Sequence, residues 1–149
     1  MHNKLRELLA RKDEREGGFT LIELLVVVVI IGILVAIAIP LYLNYQRGAH
    51  DKSAQSDLRN AIPVLAQCYS ENSNQYPTTA LTDVVGVQAL TCGTENETIN
   101  LSSDSHLTYT PDATGASYVM DVWNTGGKDH TDAASAYVYD STKGGVVGP

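Results

Sequence analysis

Charge and reactive chemistry are both scarce in this chain of 149 residues. Beyond residue 18 only Arg47, Lys52, Arg59, Lys128 and Lys143 are basic, against thirteen carboxylates, a formal side-chain balance of −8. So sparse a set of cations gives no support for a nucleic-acid-binding surface, and no nucleic-acid partner is expected. There is no G-x-S-x-G, no Walker or dinucleotide glycine pattern, no C-x-x-C and no H-E-x-x-H, and the four histidines (His2, His50, His106, His130) are scattered. Without such constellations neither an enzyme nor a nucleotide-binding protein is expected. Cysteine is limited to Cys68 and Cys92, and no internal repeat is visible. Charge is missing altogether between Leu24 and Gln46.

That last absence is the informative one. Leu24 to Leu43 forms an uncharged, apolar run of twenty residues, which as a helix spans roughly 30 Å, the thickness of a bilayer's hydrocarbon core. Val26 to Ile31 is β-branched throughout, yet the run is too long for an ordinary strand, and lipid favours a helix with internal backbone bonds. Lys4, Arg6, Arg11, Lys12 and Arg15 precede the run, against Arg47, Lys52 and Arg59 after it. Lys/Arg counting therefore keeps the leader cytoplasmic and sends the C-terminal portion outside. Two other readings exist. Ala36-Ile37-Ala38 has the small-x-small form of a secretory cleavage site and would release a soluble binding module starting at Ile39; a plain uncleaved anchor explains nothing about the residues just upstream.

Those residues are Gly18-Phe19-Thr20-Leu21-Ile22-Glu23: a polar leader ending in a small residue, an aromatic, one carboxylate, then the apolar run with Pro40 inside it. The order resembles the N-terminus of type IV prepilins and type II secretion pseudopilins, strongly over Gly17 to Gln46 and only architecturally beyond. The leader departs slightly, because Glu7, Asp13, Glu14 and Glu16 nearly cancel its five basic residues. The resemblance implies cleavage between Gly18 and Phe19 by a prepilin peptidase, N-methylation of Phe19, and polymerisation through the N-terminal helix, powered by a separate ATPase. It further implies that Glu23 of one subunit neutralises the terminal amine of another. On physical grounds alone Thr20-x-x-Glu23 fits a capping box, and a carboxylate in a first turn complements the helix dipole. The two roles are compatible.

Past the run, Ala54, Leu58, Ala61, Ile62, Leu65 and Tyr69 recur at three and four residues, with Asp51, Lys52, Gln55, Asp57, Arg59 and Asn60 between them. One long helix from Thr20 to about Glu71 is expected, apolar all round in its first half and one-faced in its second. Pro40 and Pro63 predict gentle kinks; the resemblance offers unwinding of Gly32 to Pro40 in a packed filament as the alternative to a simple bend. Turn formers from Asn72 to Thr79 end the helix, and Ala80 to Leu90 reads as a short helix. His106–Pro111, Ser117–Asn124 and Ser135–Asp140 read as strands, the first two joined at Asp112-Ala113-Thr114-Gly115.

The expected fold is thus α+β, a long N-terminal helix packed against a small antiparallel sheet. The parts are a cleaved leader (1–18), a transmembrane and assembly helix (19–45), its amphipathic continuation (46–72) and an extracellular head (73–149). In a segment facing an oxidising exterior, Cys68 and Cys92 most simply form one disulfide. Asp129 and Asp132, with Asp121 or Asn124 nearby, offer oxygen ligands for a hard cation. Pseudopilins of type II secretion, which the chain resembles, bind calcium in a C-terminal loop, but the usual meaning of such a run is a solvated charged loop, and no cofactor is required. Asn96-Glu97-Thr98 and Asn100-Leu101-Ser102 match a glycosylation pattern common by chance.

The function these readings imply is a structural subunit of a type IV pilus, held in the cytoplasmic membrane before assembly and on the cell surface afterwards. A pseudopilin of a type II secretion system is the alternative. The expected partners are further copies of the chain, the processing peptidase and methyltransferase, an assembly platform with minor pilins, and membrane lipid.

Overall fold

A computed structural model describes residues 18–147; the predicted leader, apart from Gly18, lies outside the described residues. The chain divides into two units, one ending at Leu41 and one beginning at Tyr42. Helix α1 (Leu21–Glu71) is unbroken through Gly32, Pro40, Gly48 and Pro63.

In the first unit every residue from Leu21 to Leu41 is exposed. The most apolar window of 18 residues in α1 has a mean hydropathy of 3.3, long and apolar enough to cross a membrane. Side chains apolar on every side of a helix have no aqueous face to present, which is the composition of a lipid-facing segment.

In the second unit α1 turns one-sided. Ala54, Leu58, Ala61, Leu65 and Cys68 are fully buried, a stripe at three- and four-residue spacing that faces the sheet. The helix ends where Asn74 N–H reaches back to the Tyr69 carbonyl at 3.0 Å, with Ser73 and Asn74 both at positive φ. That long backward bond is the cap by which helices commonly stop, here without the usual glycine.

Among the described residues seven strands follow: β1 (Leu81–Val85), β2 (Val87–Cys92), β3 (Glu95–Asn100), β4 (Ser105–Pro111), β5 (Tyr118–Asn124), β6 (Tyr137–Asp140) and β7 (Val146–Val147). Five make an antiparallel sheet in the order β1-β4-β5-β6-β7, and β2 and β3 form a separate hairpin. Alternation explains the two central strands. Ser105, Leu107 and Tyr109 of β4 pair with Asn124, Val122 and Met120 of β5, and all six are buried on one face against α1. Tyr118 completes this core with Tyr76 and Tyr109, at centroid distances of 4.6 and 5.6 Å. The architecture is therefore α+β, one long N-terminal helix packed against an antiparallel sheet.

The region 80–90 is not helical. It forms β1 and β2, because Thr82, Val84, Val85 and Val87 are β-branched and Gly86, at φ +71°, breaks any helical path. The last of the expected strands also starts later, at Tyr137, since Ala133–Ser135 forms a 3-10 turn capped by Asp132. Strand β3 carries little apolar signal: only Ile99 is buried in it.

Candidate processing and assembly site

Gly18 precedes α1, and among the described residues nothing lies within 4 Å of where its Cβ would stand. Phe19 is 88% exposed beside it. Thr20 caps the helix: its carbonyl accepts from Leu24 N–H at 3.3 Å, its hydroxyl oxygen accepts from Glu23 N–H at 3.3 Å, and its own N–H donates to Glu23 Oε2 at 2.9 Å. The Thr20 hydroxyl also donates to the same oxygen at 2.7 Å. This reciprocal pair satisfies donors that a helix start leaves free. Glu23 Oε1 takes no hydrogen bond among the described residues. Phe19, Ile22, Glu23, Val26 and Val27 line one shallow groove, so the residue expected to carry the mature amine and the carboxylate expected to meet an amine share a face. An open junction suits an incoming protease. A carboxylate with one idle oxygen, at the head of an apolar helix, suits a cationic partner.

The second unit holds the remaining predicted residues. Cys68 and Cys92 are joined, with Cα atoms 4.9 Å apart, tying the last turns of α1 to the end of β2. Pro63 is exposed on α1. The carboxylates of Asp129 and Asp132 each have a partner of their own. The Asp132 carboxylate accepts from Ser135 N–H at 2.9 Å and from its hydroxyl at 2.8 Å, and these bonds hold it below the usual carboxylate range. Asp129 is exposed and 3.6 Å from Lys128 Nζ. No group of three or more His, Cys, Asp or Glu placed to hold a metal exists among the described residues.

The loop carrying them is organised by a residue that sequence reading put on the polar side of the helix. Asp51 is only 5% exposed. Its Oδ1 accepts from the backbone N–H groups of Lys128 and His130, and its Oδ2 from those of Lys128 and Asp129, each at 3.1 Å. Gly127 is required there, since a Cβ would stand 2.1 Å from Asp51 Oδ1. Asp57, 4% exposed, does the same for the loop before β4, accepting from Ser102 N–H at 3.0 Å and its hydroxyl at 2.9 Å. Both carboxylates pin head loops to α1. The signal for Asp51 was present: it lies three residues before Ala54, on the same stripe as Leu58 and Ala61.

Comparisons with known proteins fall on the same segment. The prokaryotic N-terminal methylation motif matches residues 14–39. The Type IV major pilin protein PilA of Myxococcus xanthus (strain DK1622) is 41% identical over 63 residues, which is 42% of this chain and 29% of that protein. The Type II secretion system core protein G of Aeromonas hydrophila is 40% identical over 71 residues, 46% of this chain and 47% of that one. The core protein G of Dickeya chrysanthemi is 31% identical over 109 residues, 72% of this chain and 69% of its own length. The match thus spans less than half of the Myxococcus and Aeromonas proteins. No solved structure matches the chain.

Proposed function

Because the chain belongs to the type IV pilin and type II secretion pseudopilin family, we infer that it is a membrane-inserted subunit that is trimmed at its leader and polymerised into a type IV pilus. The carrying observation is the open Gly18-Phe19 junction set directly before a capped helix whose apolar first part, from Leu21 to Leu41, is exposed. A peptidase cutting there frees the amine of Phe19 next to Thr20. Transfer of a methyl group to that amine completes the mature end. Before assembly the apolar length of α1 rests in lipid. In the polymer, the same side chains exchange lipid for neighbouring helices, so that contact between copies replaces contact with the bilayer.

Glu23 directs that exchange. A carboxylate near the bilayer interior is costly, by about 2.5–3.5 kcal/mol at a helix centre and less near an end. Its local bonds to Thr20 offset part of this, and a neighbour's terminal amine offsets more by charge pairing. The subunit therefore gains more by joining a copy than by staying alone in lipid. The protein is structural, and the work of extension belongs to a separate motor.

A second reading, a pseudopilin of a type II secretion system, is favoured by the longer match to the Dickeya core protein G. The experiment joins two measurements. Intact mass and terminal sequencing of the membrane-extracted chain should give a start at methylated Phe19; a start at Ile39 or an intact Met1 overturns the processing reading. Electron microscopy of cells with and without the gene should then show surface filaments that depend on it. Lost protein export with no change in surface filaments selects the pseudopilin reading.

A further inference from the structure

Charge is segregated along the second unit. On α1 from Tyr42 to Ser70 the only carboxylates are Asp51 and Asp57, buried and bound to loop N–H and hydroxyl groups. The same stretch exposes Arg47, Lys52 and Arg59. No carboxylate lies within ion-pair distance of these three among the described residues. The remaining two cations beyond the leader, Lys128 and Lys143, already face Asp129 at 3.6 Å and Asp140 at 3.1 Å. Among the described residues every unpaired cation of the second unit is therefore on α1, and by helical spacing Lys52 and Arg59 share one face, about 20° apart, whereas Arg47 stands about 120–140° round the helix from them.

The opposite charge sits farther along the same helix. Glu71 ends α1, and Glu97 of β3 converges on it through a single amide: Gln67 Nε2 donates to Glu71 Oε1 and to Glu97 Oε1, each at 3.0 Å. Glu95 is exposed two residues away from Glu97. No basic residue occupies the last turn of α1, where a carboxylate is disfavoured by the helix's own carbonyl ends. At 1.5 Å per residue, Glu71 lies roughly 18 Å along the helix from Arg59 and roughly 28 Å from Lys52. The two surfaces cannot meet within one chain. They can meet between chains displaced along the helix direction, and a contact between two different patches repeats without closing.

We propose that the exposed cationic face of α1 formed by Lys52 and Arg59 is the docking surface for a second copy of this chain, which presents Glu71, Glu95 and Glu97. The inference rests on the polymer reading above and adds to it a charge contact in the head, apart from the N-terminal helix. Opposite charges set between subunits fix register and reject wrong alignments more than they add affinity, so this contact sets the axial step between copies.

The test uses the full chain in cells that assemble it. K52E/R59E should leave the processed protein and its Cys68–Cys92 bond at wild-type levels, since both positions are exposed, while sheared polymer falls at least about tenfold through like-charge repulsion. Adding E71K/E95K to the same chain should restore polymer to within about twofold of wild type. Wild-type polymer should also shorten in high salt, and the fourfold variant should share that response. Undiminished polymer from K52E/R59E overturns the proposal alone. So does loss that E71K/E95K fails to restore. Absence of any wild-type polymer overturns the polymer reading, and this inference with it.

Discussion

Replacing Asp51 by Asn tests whether the head is anchored to the helix by one carboxylate. Four N–H···O contacts of 3.1 Å from three backbone amides converge on Asp51, and the residue is 5% exposed. Asn keeps the shape and one carbonyl oxygen. Its amide NH2 would face either the His130 or the Asp129 N–H, donor against donor, whichever way it is turned. One buried amide loses its partner, and the surviving bonds lose their charge. Hydrogen bonds to a charged group are worth about 1.5–3 kcal/mol against about 0.5–1.5 for neutral ones, and an orphaned buried donor costs about 1–3. The sum is about 2–4 kcal/mol, a large part of the roughly 5–15 available to a domain. Trp123, the single tryptophan, is 6% exposed on β5 and reports unfolding by fluorescence. In urea, with slopes of about 1–3 kcal/mol/M, the midpoint of the detergent-solubilised chain should drop by roughly 1–2 M with the disulfide intact. Asp129→Asn, at an exposed ion pair, should change the stability by less than about 0.5 kcal/mol. Equal, small shifts from both variants would refute the anchoring argument.

Glu23→Gln should preserve insertion and leader cleavage but deplete filaments, because it keeps the cap while removing the charge; normal filament yield in sheared fractions contradicts charge pairing. Gly127→Ala should destabilise the head as Asp51→Asn does, since its methyl would collide with Asp51 Oδ1, and urea unfolding checks it. Reducing Cys68–Cys92, which closes a separation of 24 residues, should cost about 3 kcal/mol of head stability and leave membrane retention unchanged; calorimetry and membrane fractionation measure the two. Asp140 is lowered from the ordinary 3.8 to about 2 by the Thr142 hydroxyl, the Thr142 N–H and Lys143, and Asp112 and Asp132 are lowered too. Asp140 depressed on folding contributes stability that is present above about pH 4 and lost as pH falls through about 2, with Asp112 and Asp132 acting in the same direction; Asp140→Asn should flatten that acid limb in a thermal-melt series from pH 5 to 2.

What the sequence disclosed tracks how local the cause is. The apolar run, the Thr20–Glu23 cap and the stripe from Ala54 to Leu65 each depend on neighbours within four residues, and composition and spacing alone expose them. The residues Ser105 to Tyr109 of β4 and Tyr118 to Val122 of β5 alternate in burial because one face meets α1. Where a cause is distant, reading fails in a specific way. The segment 80–90 mixes helix-compatible Leu, Ala and Gln with β-branched Thr82, Val84, Val85 and Val87, and its edge pairing with β4 and its hairpin with β3 decide in favour of strand. Asp51 is the sharper case. Polar residues on a helix are assigned to water by default, yet its partners are backbone amides 77 to 79 residues away, and backbone amides leave no mark in sequence. The mark that does remain is geometric: a carboxylate on the buried stripe must find donors, because an unpartnered buried charge is not tolerated. Applied to the whole helix, the same rule separates its acids into two kinds. Asp51 and Asp57 lie inward and hold loops of their own chain, whereas Glu23 and Glu71 stand outward at its two ends. Pins within one chain should act on stability, and outward charges on assembly. Asp51→Asn and Glu23→Gln, measured side by side for melting and for filament yield, should therefore fail in opposite assays.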